Sequence, residues 1–252
     1  VFGVLGALTA LTKAVAVLYP PLFVVCWWLS RKRSPAKLES RAALFAVAAL
    51  FASMAVTVAP WTARNYFVTG HFVPISTGFS DAFLRGYVFS KTEYATLQRP
   101  PYTDGENESN AMFRQICAAE GAVWEQDDYQ TDKILNRAAK ARLLASPAAF
   151  VHKTFVGLFT FWYEMTSLKT SLAAGAMALA AWIFAALGLW RSRTERQPAW
   201  LLLLPILYFN LFLAPLLALG RYSVPIVPCL MVLAAFGLDT LWKRIRAPEP
   251  GA

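Results

Sequence analysis

Arg221-Tyr222-Ser223-Val224-Pro225-Ile226-Val227-Pro228 joins an arginine and a tyrosine to an apolar run that continues to Leu241. The run approaches the roughly 20 residues that an α-helix needs to cross a bilayer. Another arginine, Arg64, follows a second apolar run in Pro60-Trp61-Thr62-Ala63-Arg64-Asn65-Tyr66. An arginine at the end of a membrane helix costs little free energy and can hold an anion at the membrane surface. The two arginines therefore indicate a membrane protein that binds a lipid phosphate.

The composition also indicates an integral membrane protein. Hydrophobic residues make up 57% of the 252 residues and charged residues 15%. Soluble domains average about 45–50% apolar residues and about 25% charged residues. Several apolar runs in the chain are suited to crossing a bilayer as helices. The expected fold class is therefore all-α, a polytopic transmembrane helical bundle.

The net charge of +9 raises the question of nucleic-acid binding. Residues 61–150 contain nine Lys or Arg and ten Asp or Glu, so this segment is nearly neutral. Cytoplasmic loops of membrane proteins carry short basic tracts beside apolar runs. Most of the remaining basic residues form three such tracts, namely Arg31-Lys32-Arg33 with Lys37 and Arg41, Arg191 with Arg193 and Arg196, and Lys243 with Arg244 and Arg246. The distribution of charge therefore argues against a nucleic-acid partner.

A cytoplasmic position for all three tracts predicts five or six spans. Residues 1–60 hold two or three spans, residues 61–170 an extracytoplasmic helical segment with an interfacial helix, residues 171–246 three transmembrane helices, and residues 247–252 a cytoplasmic tail. The first region is either two segments that meet near Lys13 or one long kinked helix. Two segments are preferred, because a lysine at mid-bilayer costs roughly 2.5–3.5 kcal/mol on insertion scales. In the last region the outward span is predicted at 200–219.

The extracytoplasmic segment is expected to contain three helices. The first covers 107–120 and stops at Gly121, the second covers 128–145, and Ser146-Pro147 opens the third. Apolar residues form a stripe on the third helix, as is typical of a helix that lies in the membrane interface. Its packing against the spans is the alternative. The stripe consists of Val151, Phe155, Leu158, Phe159 and Trp162.

The strongest candidate binding residues are Arg64 and Arg221. Arginines at helix ends often extend to the water interface without any further role. The predicted topology, however, places both on the outer side, against the positive-inside bias, and anion binding by the guanidinium is the simplest local reason. Lys13 is placed outside by the same argument, and Tyr222 lies beside the same opening. If both arginines bind one phosphate, their Cα atoms lie within roughly 15–18 Å of each other.

Other kinds of site have no support in the sequence. His71 and His152 are far apart and lack the spacing of a protein metal site, so no metal ligand is assigned. There is no G-x-S-x-G elbow, Walker A loop or G-x-G-x-x-G fingerprint. Asp81 is an acid near the candidate site, but its place beside Gly78 favours a turn or capping role. Catalytic residues and cofactors stay unassigned.

Three segments together resemble bacterial GT-C glycosyltransferases. They are Leu11-Thr12-Lys13, Pro60-Trp61-Thr62-Ala63-Arg64-Asn65-Tyr66 with Gly70-His71-Phe72-Val73-Pro74-Ile75-Ser76-Thr77, and Arg221-Tyr222-Ser223-Val224-Pro225 with Pro228. The most similar group is glycosyltransferase family 39, the dolichyl-phosphate-mannose-protein mannosyltransferase-like proteins, with the lipid A aminoarabinose transferases as relatives. The resemblance covers nearly the whole chain as the C-terminal half of such a protein.

The resemblance implies a multi-pass enzyme of the bacterial cytoplasmic (inner) membrane. It transfers a sugar from a polyprenyl-phosphate donor to an acceptor outside the membrane, and donor phosphate contacts fall on Arg64, Arg221, Tyr222 and Lys13. The resemblance also places the catalytic aspartate upstream of the matched region, so it is expected outside this chain. One departure is Gly78-Phe79-Ser80-Asp81, where the family has an asparagine-rich segment. A lipid-phosphate flippase or transporter and a noncatalytic membrane scaffold are the alternatives.

Overall fold

The computed structural model describes residues 1–31, 40–194 and 199–246, and their regular secondary structure is all helical. The predicted all-α class is therefore confirmed. The chain divides into two compact units, Val1–Gly78 with Asp127–Gln130, and Phe79–Gln126 with Thr131–Ala252. Its α-helices are α1 (Phe2–Thr12), α2 (Tyr19–Arg31), α3 (Ser40–Thr69), α4 (Phe79–Phe89), α5 (Thr92–Ala95), α6 (Thr103–Ala119), α7 (Asp128–Ala145), α8 (Pro147–Tyr163), α9 (Leu168–Thr194), α10 (Trp200–Leu213) and α11 (Val227–Arg246).

Two apolar segments meet at Lys13, as the sequence predicts. Helix α1 ends at Thr12, and Lys13 has an extended backbone with φ −141° and ψ 102°. A short 3-10 helix, Ala14–Leu18, then leads into α2. The alternative of one long kinked helix is wrong. The basic residues Lys32, Arg33, Lys37 and Arg196 and the predicted tail at 247–252 lie outside the described residues.

Helix α3 is longer than the apolar run that predicts it. The predicted span ends at residue 59, but the helix continues through Pro60 to Thr69. The apolar stretch Arg41–Thr69 has 29 residues, so at 1.5 Å per residue it is about 43 Å long, against about 30 Å for the hydrocarbon core. The apolar stretch is therefore longer than the core by about 13 Å, or roughly two and a half turns. Arg64 lies within the continuation at 60–69, not after the helix.

The structure describes fewer full-length spans than the five or six that the topology predicts. Three helices in the described residues are long and apolar enough to cross a membrane, Arg41–Thr69, Leu168–Ser192 and Gly220–Lys243. A fourth is obtained only if α7 and α8, which are bent by 104°, count as one broken span. Helices α1 and α10 are apolar but short. The chain is a helical multi-pass membrane protein, and the sidedness of its segments stays a prediction.

The second unit is built on a parallel pair of helices, α9 and α11. Near the middle of the pair, a Cβ atom on Gly188 would lie 1.9 Å from the carbonyl oxygen of Leu233. A Cβ atom on Gly237 would lie 1.9 Å from the carbonyl oxygen of Phe184 in the same way. The two glycines therefore allow a backbone-to-backbone approach that no other residue permits. Membrane helices commonly associate through small residues in this manner.

An ion-pair cluster joins α9 and α11 near the ends at which both helices finish. Arg191 donates to the carboxylate of Asp239, and Lys243 lies 2.9 Å from the same carboxylate. Arg191 and Lys243 come from different predicted basic tracts. Their common partner places the two tracts at the same end of the helix pair, as the sequence analysis requires.

The predicted outward span at 200–219 is a helix only in part. Helix α10 stops at Leu213, before Pro215. Residues 214–219 follow without regular secondary structure, and we call them the return segment. All but Pro215 of its residues are buried. Irregular backbone at membrane depth is tolerated only where protein covers it. Burial of the return segment meets that condition.

Two glycines hold the return segment close to its neighbours. A Cβ atom on Gly86 of α4 would lie 1.8 Å from the carbonyl oxygen of Leu216. A Cβ atom on Gly157 of α8 would lie 2.3 Å from the carbonyl oxygen of Ala214. The return segment therefore runs against the backbones of two helices. This close contact fixes the path of the chain just before Arg221.

The polar part of the second unit has its own apolar core. Helix α6 starts at Thr103, four residues before the predicted position, and ends at Ala119, with Gly121 in a left-handed conformation at φ +70°. Helix α7 has its predicted bounds, Asp128–Ala145. The core that joins α4, α6 and α7 consists of Leu84, Phe113, Cys117, Ile134, Leu135 and Ala139. This cluster makes the predicted extracytoplasmic segment a packed body and not a loose loop.

Substitution of either crossing glycine should loosen the α9–α11 pair. We expect Gly188→Ala and Gly237→Ala each to lower the free energy of unfolding by about 1–3 kcal/mol, because the new methyl group meets a carbonyl oxygen. The thermal unfolding midpoint in detergent measures the effect. Ala186→Leu is the control at an exposed position of α9. Unchanged midpoints for both glycine variants would contradict this account of the helix pair.

Candidate functional site

Arg221 lies in the second unit between two tyrosine side chains. Its Nη1 donates to the hydroxyl of Tyr102 and its Nη2 to the hydroxyl of Tyr222, each at 3.3 Å. Its Cζ atom lies 4.9 Å from the centre of the Tyr102 ring and 5.2 Å from that of Tyr222. The side chain is exposed and forms no ion pair with the acidic residues that the structure describes. We call these three residues the Arg221 cradle.

An apolar cluster supports the two tyrosines. Tyr102 precedes α6 and Tyr222 belongs to the short 3-10 helix Gly220–Tyr222, and both pack against buried residues of α4, α5 and the return segment. The cluster consists of Val88, Phe89, Tyr94, Leu217 and Leu219. Because the rings stand on a buried base, their hydroxyls are held near the guanidinium without large motions of the backbone.

A backbone hydrogen bond fixes the position of Arg221 along the chain. The N–H of Gly220 donates to the carbonyl oxygen of Glu164 at 2.6 Å. A Cβ atom on Gly220 would lie 3.0 Å from the same oxygen and 3.1 Å from Met165, so the approach favours glycine. The end of α8 therefore holds the residue immediately before Arg221.

Glu164 combines this backbone role with a buried carboxyl group. The side chain is fully buried, and neither carboxyl oxygen has a hydrogen-bond partner among the described residues. Burial raises the pKa of Glu164 to about 9, because the charged form has lost its hydration. The carboxyl group is therefore protonated at neutral pH, beside the backbone that carries the cradle.

A polar network stabilises the loop between α5 and α6 that contains Tyr102. Lys91 and the Tyr94 hydroxyl both donate to the carboxylate of Glu108, the latter at 3.0 Å. Burial alone would raise the pKa of Glu108, but these hydrogen bonds and the charges of Lys91 and Arg99 lower it overall. Burial and the bond to Glu108 raise the pKa of Tyr94 to about 12. The network joins α5 to α6 on either side of Tyr102.

In the first unit, most of the segment around Arg64 serves to fasten a loop. The Trp61 indole N–H donates to the carbonyl of Ile75 at 2.8 Å, and the Thr62 hydroxyl donates to that of Pro74 at 2.8 Å. The buried amide of Asn65 donates to the carbonyls of Val73 and Ile75, at 3.0 and 3.1 Å. These contacts tie the two halves of the family-like motif to each other. Arg64 takes no part in these four hydrogen bonds.

Arg64 itself is exposed on α3. Its Nη1 donates to the side-chain oxygen of Asn65 at 3.3 Å, and its Cζ atom lies 5.1 Å from the centre of the Trp61 ring. It forms no ion pair with an acidic residue in the described part of the chain. The guanidinium is therefore held by the fastening residues and remains open to an anion.

The first unit has an apolar groove along α3. The groove has a volume of about 550 Å³ and is lined by Ala59, Thr62, Phe67 and Phe72, among others. With 3.6 residues per turn, Arg64 lies roughly 140–160° around α3 from Ala59 and Thr62 but only about 60° from Phe67. An apolar path from this groove to a shared cation site stays a prediction.

The remaining candidate residues lie in different parts of the structure. Lys13 stands at the break between α1 and the following 3-10 helix, and a shared site with Arg64 stays a prediction. Asp81 lies in the first turn of α4 and forms an ion pair with Arg85, whereas the sequence predicts a turn or capping role. Arg64 and Arg221 belong to different units. Their approach to one phosphate therefore also stays a prediction.

Sequence reasoning missed two residues near Arg221. Tyr102 precedes Arg221 by 119 residues, and nothing in Arg99-Pro100-Pro101-Tyr102 indicates a contact with it. Glu164 could have been identified from the sequence, because it is an isolated acid between the apolar residues of α8 and those of α9. An acid in such surroundings either pairs with a cation or stays protonated. Glu164 has no cation partner among the described residues, and burial raises its pKa to about 9.

The loop contacts of Asn65 generate the first prediction for this region. We expect Asn65→Ala to lower the free energy of unfolding by about 1–3 kcal/mol, because two carbonyl groups lose their amide donor. Proteolytic cleavage within residues 70–78 should also become faster. Arg64→Ala is the matched control and should leave the cleavage rate unchanged. Equal effects of the two substitutions would remove the distinction between fastening and free residues.

The buried carboxyl group of Glu164 generates a pH prediction. Its folded-state pKa of about 9 lies above its ordinary value of 4.5, so its favourable contribution is complete below 4.5 and is lost as the pH rises towards 9. We expect Glu164→Gln, which cannot ionise, to gain thermal stability over the unchanged protein as the pH rises from 5 to 8. Thermal unfolding in detergent measures the trend. The same trend in Glu106→Gln, the control, would count against Glu164 as its source.

The Arg221 cradle has hydrogen-bond donors left over for a ligand. An arginine has five N–H donors, and two of them are used by the tyrosine hydroxyls. The Tyr102 hydroxyl accepts from Arg221 and keeps its own proton for donation.

Comparisons of the chain with protein-family models, with curated proteins and with solved structures found no match. The family assignment therefore continues to rest on the quoted motifs as an expectation.

Proposed function

We propose that the chain is the membrane half of a glycosyltransferase that takes a sugar from a polyprenyl-phosphate donor. The observation that carries the proposal is the Arg221 cradle, an exposed guanidinium beside two phenol hydroxyls at the start of the span Gly220–Lys243. A phosphate attached to a membrane lipid sits at the same level as the end of a span. The motif resemblance described above supports the same assignment.

In this proposal Arg221 binds the donor phosphate through its remaining N–H groups. Cleavage of the bond between sugar and phosphate leaves a negative charge on the departing polyprenyl phosphate. A guanidinium and an O–H donor fixed before the reaction stabilise that charge in the transition state. Tyr102 adds a hydroxyl donor, and Tyr222 fixes the guanidinium on its other side. Arg64 and Lys13 are further candidate cations for the same donor.

The acceptor hydroxyl must lose a proton as it attacks the sugar, and this requires a general base. Glu164 does not suit this role, because it is fully buried and protonated at neutral pH. The acidic side chains Asp81 and Glu108 are engaged in ion pairs with Arg85 and Lys91. The proposal therefore leaves the general base unassigned.

The two alternatives predict different behaviour. A lipid-phosphate flippase needs polar residues at mid-membrane depth and an inverted repeat. The three long spans carry few charges in their central parts. A noncatalytic scaffold would tolerate Arg221→Ala, whereas a donor site would not. Glycosyl transfer uses every feature of the cradle and is for that reason preferred.

Binding of a short-chain polyprenyl phosphate tests the proposal. With the chain in nanodiscs of neutral lipid, we expect Arg221→Ala to weaken binding at least about tenfold, which corresponds to about 1.4 kcal/mol. The affinity of Arg221→Lys should lie between those of the unchanged protein and of Arg221→Ala, because lysine keeps the charge and loses the fork of donors. Tyr102→Phe should weaken binding by a smaller factor, since it removes one hydroxyl. Intrinsic tryptophan fluorescence gives the dissociation constant.

The controls separate phosphate recognition from lipid binding. Arg246→Ala changes an exposed arginine at the opposite end of α11 and should leave the affinity unchanged. Polyprenol without phosphate and inorganic phosphate without a prenyl chain should both bind more weakly. Equal affinity of the Arg221→Ala variant, or equal affinity for polyprenol, would refute the donor site. Movement of fluorescent polyprenyl phosphate across vesicles, without sugar transfer, would favour the flippase.

A further inference from the structure

Helix α8 has two faces of opposite character. Val151, Phe155 and Phe159 lie four residues apart and are 65%, 61% and 56% exposed. Lys153, on the other side of the helix, is only 1% exposed. Its ammonium group donates to the carbonyl of Phe83 and lies 3.5 Å from the centre of the Phe83 ring. The helix therefore has Val151, Phe155 and Phe159 on its outward face and Lys153 on its inward face.

This arrangement is the reverse of what water favours. A soluble helix buries phenylalanine and exposes lysine, because burial of a cation without a carboxylate costs several kcal/mol. In lipid the preference changes, and ionisable residues face the protein while apolar residues face the acyl chains. Apart from His152, which is exposed near the N-terminal end of the helix, the orientation of α8 is the one expected for a helix with lipid on its outer side.

The lipid that surrounds α9 is continuous with this face. Helix α9 is one of the three long spans, and its exposed apolar residues include Leu172 and Leu179. Helix α8 packs directly against it, since the rings of Trp162 and Trp182 lie 5.2 Å apart. A Cβ atom on Gly175 would lie 3.2 Å from the Cβ atom of Tyr163. Acyl chains that reach α9 therefore also reach the C-terminal half of α8.

The preceding helix has the opposite preference. Helix α7 carries exposed Lys133, Arg137 and Lys140 and is bent by 104° from α8. Such a helix belongs in water or among lipid headgroups. The bend at Ser146-Pro147 is therefore where the chain passes from the aqueous phase into the membrane.

We propose that α8 lies in one leaflet of the bilayer, with Val151, Phe155 and Phe159 in contact with acyl chains. The occupant of this face is membrane lipid. Two contacts connect α8 and the residue after it with the segment that leads to Arg221: Gly157 meets Ala214, and Glu164 holds Gly220. The depth of α8 thus sets the height of Arg221 at the membrane surface. The inference stands whether or not the chain transfers sugars.

Fluorescent labels on single cysteines test the lipid contact. In a background without Cys26, Cys117 and Cys229, a bimane label is placed at Phe155→Cys or Phe159→Cys and the protein is reconstituted in phosphatidylcholine vesicles. We expect strong quenching by lipids brominated on the acyl chain and little quenching by aqueous iodide. Lys133→Cys on α7 is the matched exposed control. It should show the reverse pattern.

The depths of the labels separate a leaflet helix from a broken span. Labels at positions 151, 155 and 159 should all lie within about 15 Å of the same membrane surface, which is half of the hydrocarbon core. In a broken span α7 would also lie in the membrane, so strong quenching of the Lys133→Cys label by brominated acyl chains would overturn the proposal in favour of a broken span. Strong quenching by iodide, or protection from both quenchers, would overturn it in favour of water or of a covering protein segment.

A second measurement avoids substitutions altogether. The unmodified chain is reconstituted with a lipid that carries a diazirine on its acyl chain, irradiated and digested. We expect labelled peptides to include Phe155 and Phe159 at several times the yield of peptides from α7. Equal labelling of the two helices would contradict the lipid contact even if a cysteine variant failed to fold.

Discussion

The hydrogen bond from the Gly220 N–H to the Glu164 carbonyl is the contact on which the candidate site depends. It holds the first residue of the last span against the end of α8, and Arg221 follows directly. The side chain of the same glutamate is buried without a polar partner, which destabilises the fold as the pH rises. A residue that orders a site and also weakens the fold is typical of a functional region.

Glycines make the surrounding framework possible. Gly188 and Gly237 allow α9 and α11 to cross at backbone contact, and Gly86 and Gly157 admit the return segment between α4 and α8. In lipid there is little hydrophobic force between helices, so close packing and hydrogen bonds carry the association. The parallel α9–α11 pair is the fixed frame. The return segment, covered by α4 and α8, leads along the chain to the Arg221 cradle.

The segment from residue 60 to residue 77 shows how a binding-like motif divides between two tasks. Trp61, Thr62 and Asn65 use their polar atoms to fasten the following loop to α3. Arg64 is left with its guanidinium exposed beside the Trp61 ring. Similarity over such a motif therefore reflects a way of building a helix end as much as a ligand site. Only the arginine bears on an anion.

The sequence by itself determined the helical class, the membrane spans at α3, α9 and α11, the break at Lys13 and the bounds of α7. These follow from local properties, namely the length of apolar runs, helix-capping residues and the placing of charge. Only the tertiary structure decided that α4 and α8 cover the return segment, that Tyr102 meets Arg221 and that Lys153 faces inward. Each of these depends on a contact between residues far apart in the chain, and hydrophobic periodicity carries no information about which distant backbone a glycine will admit or which buried carbonyl a lysine will reach.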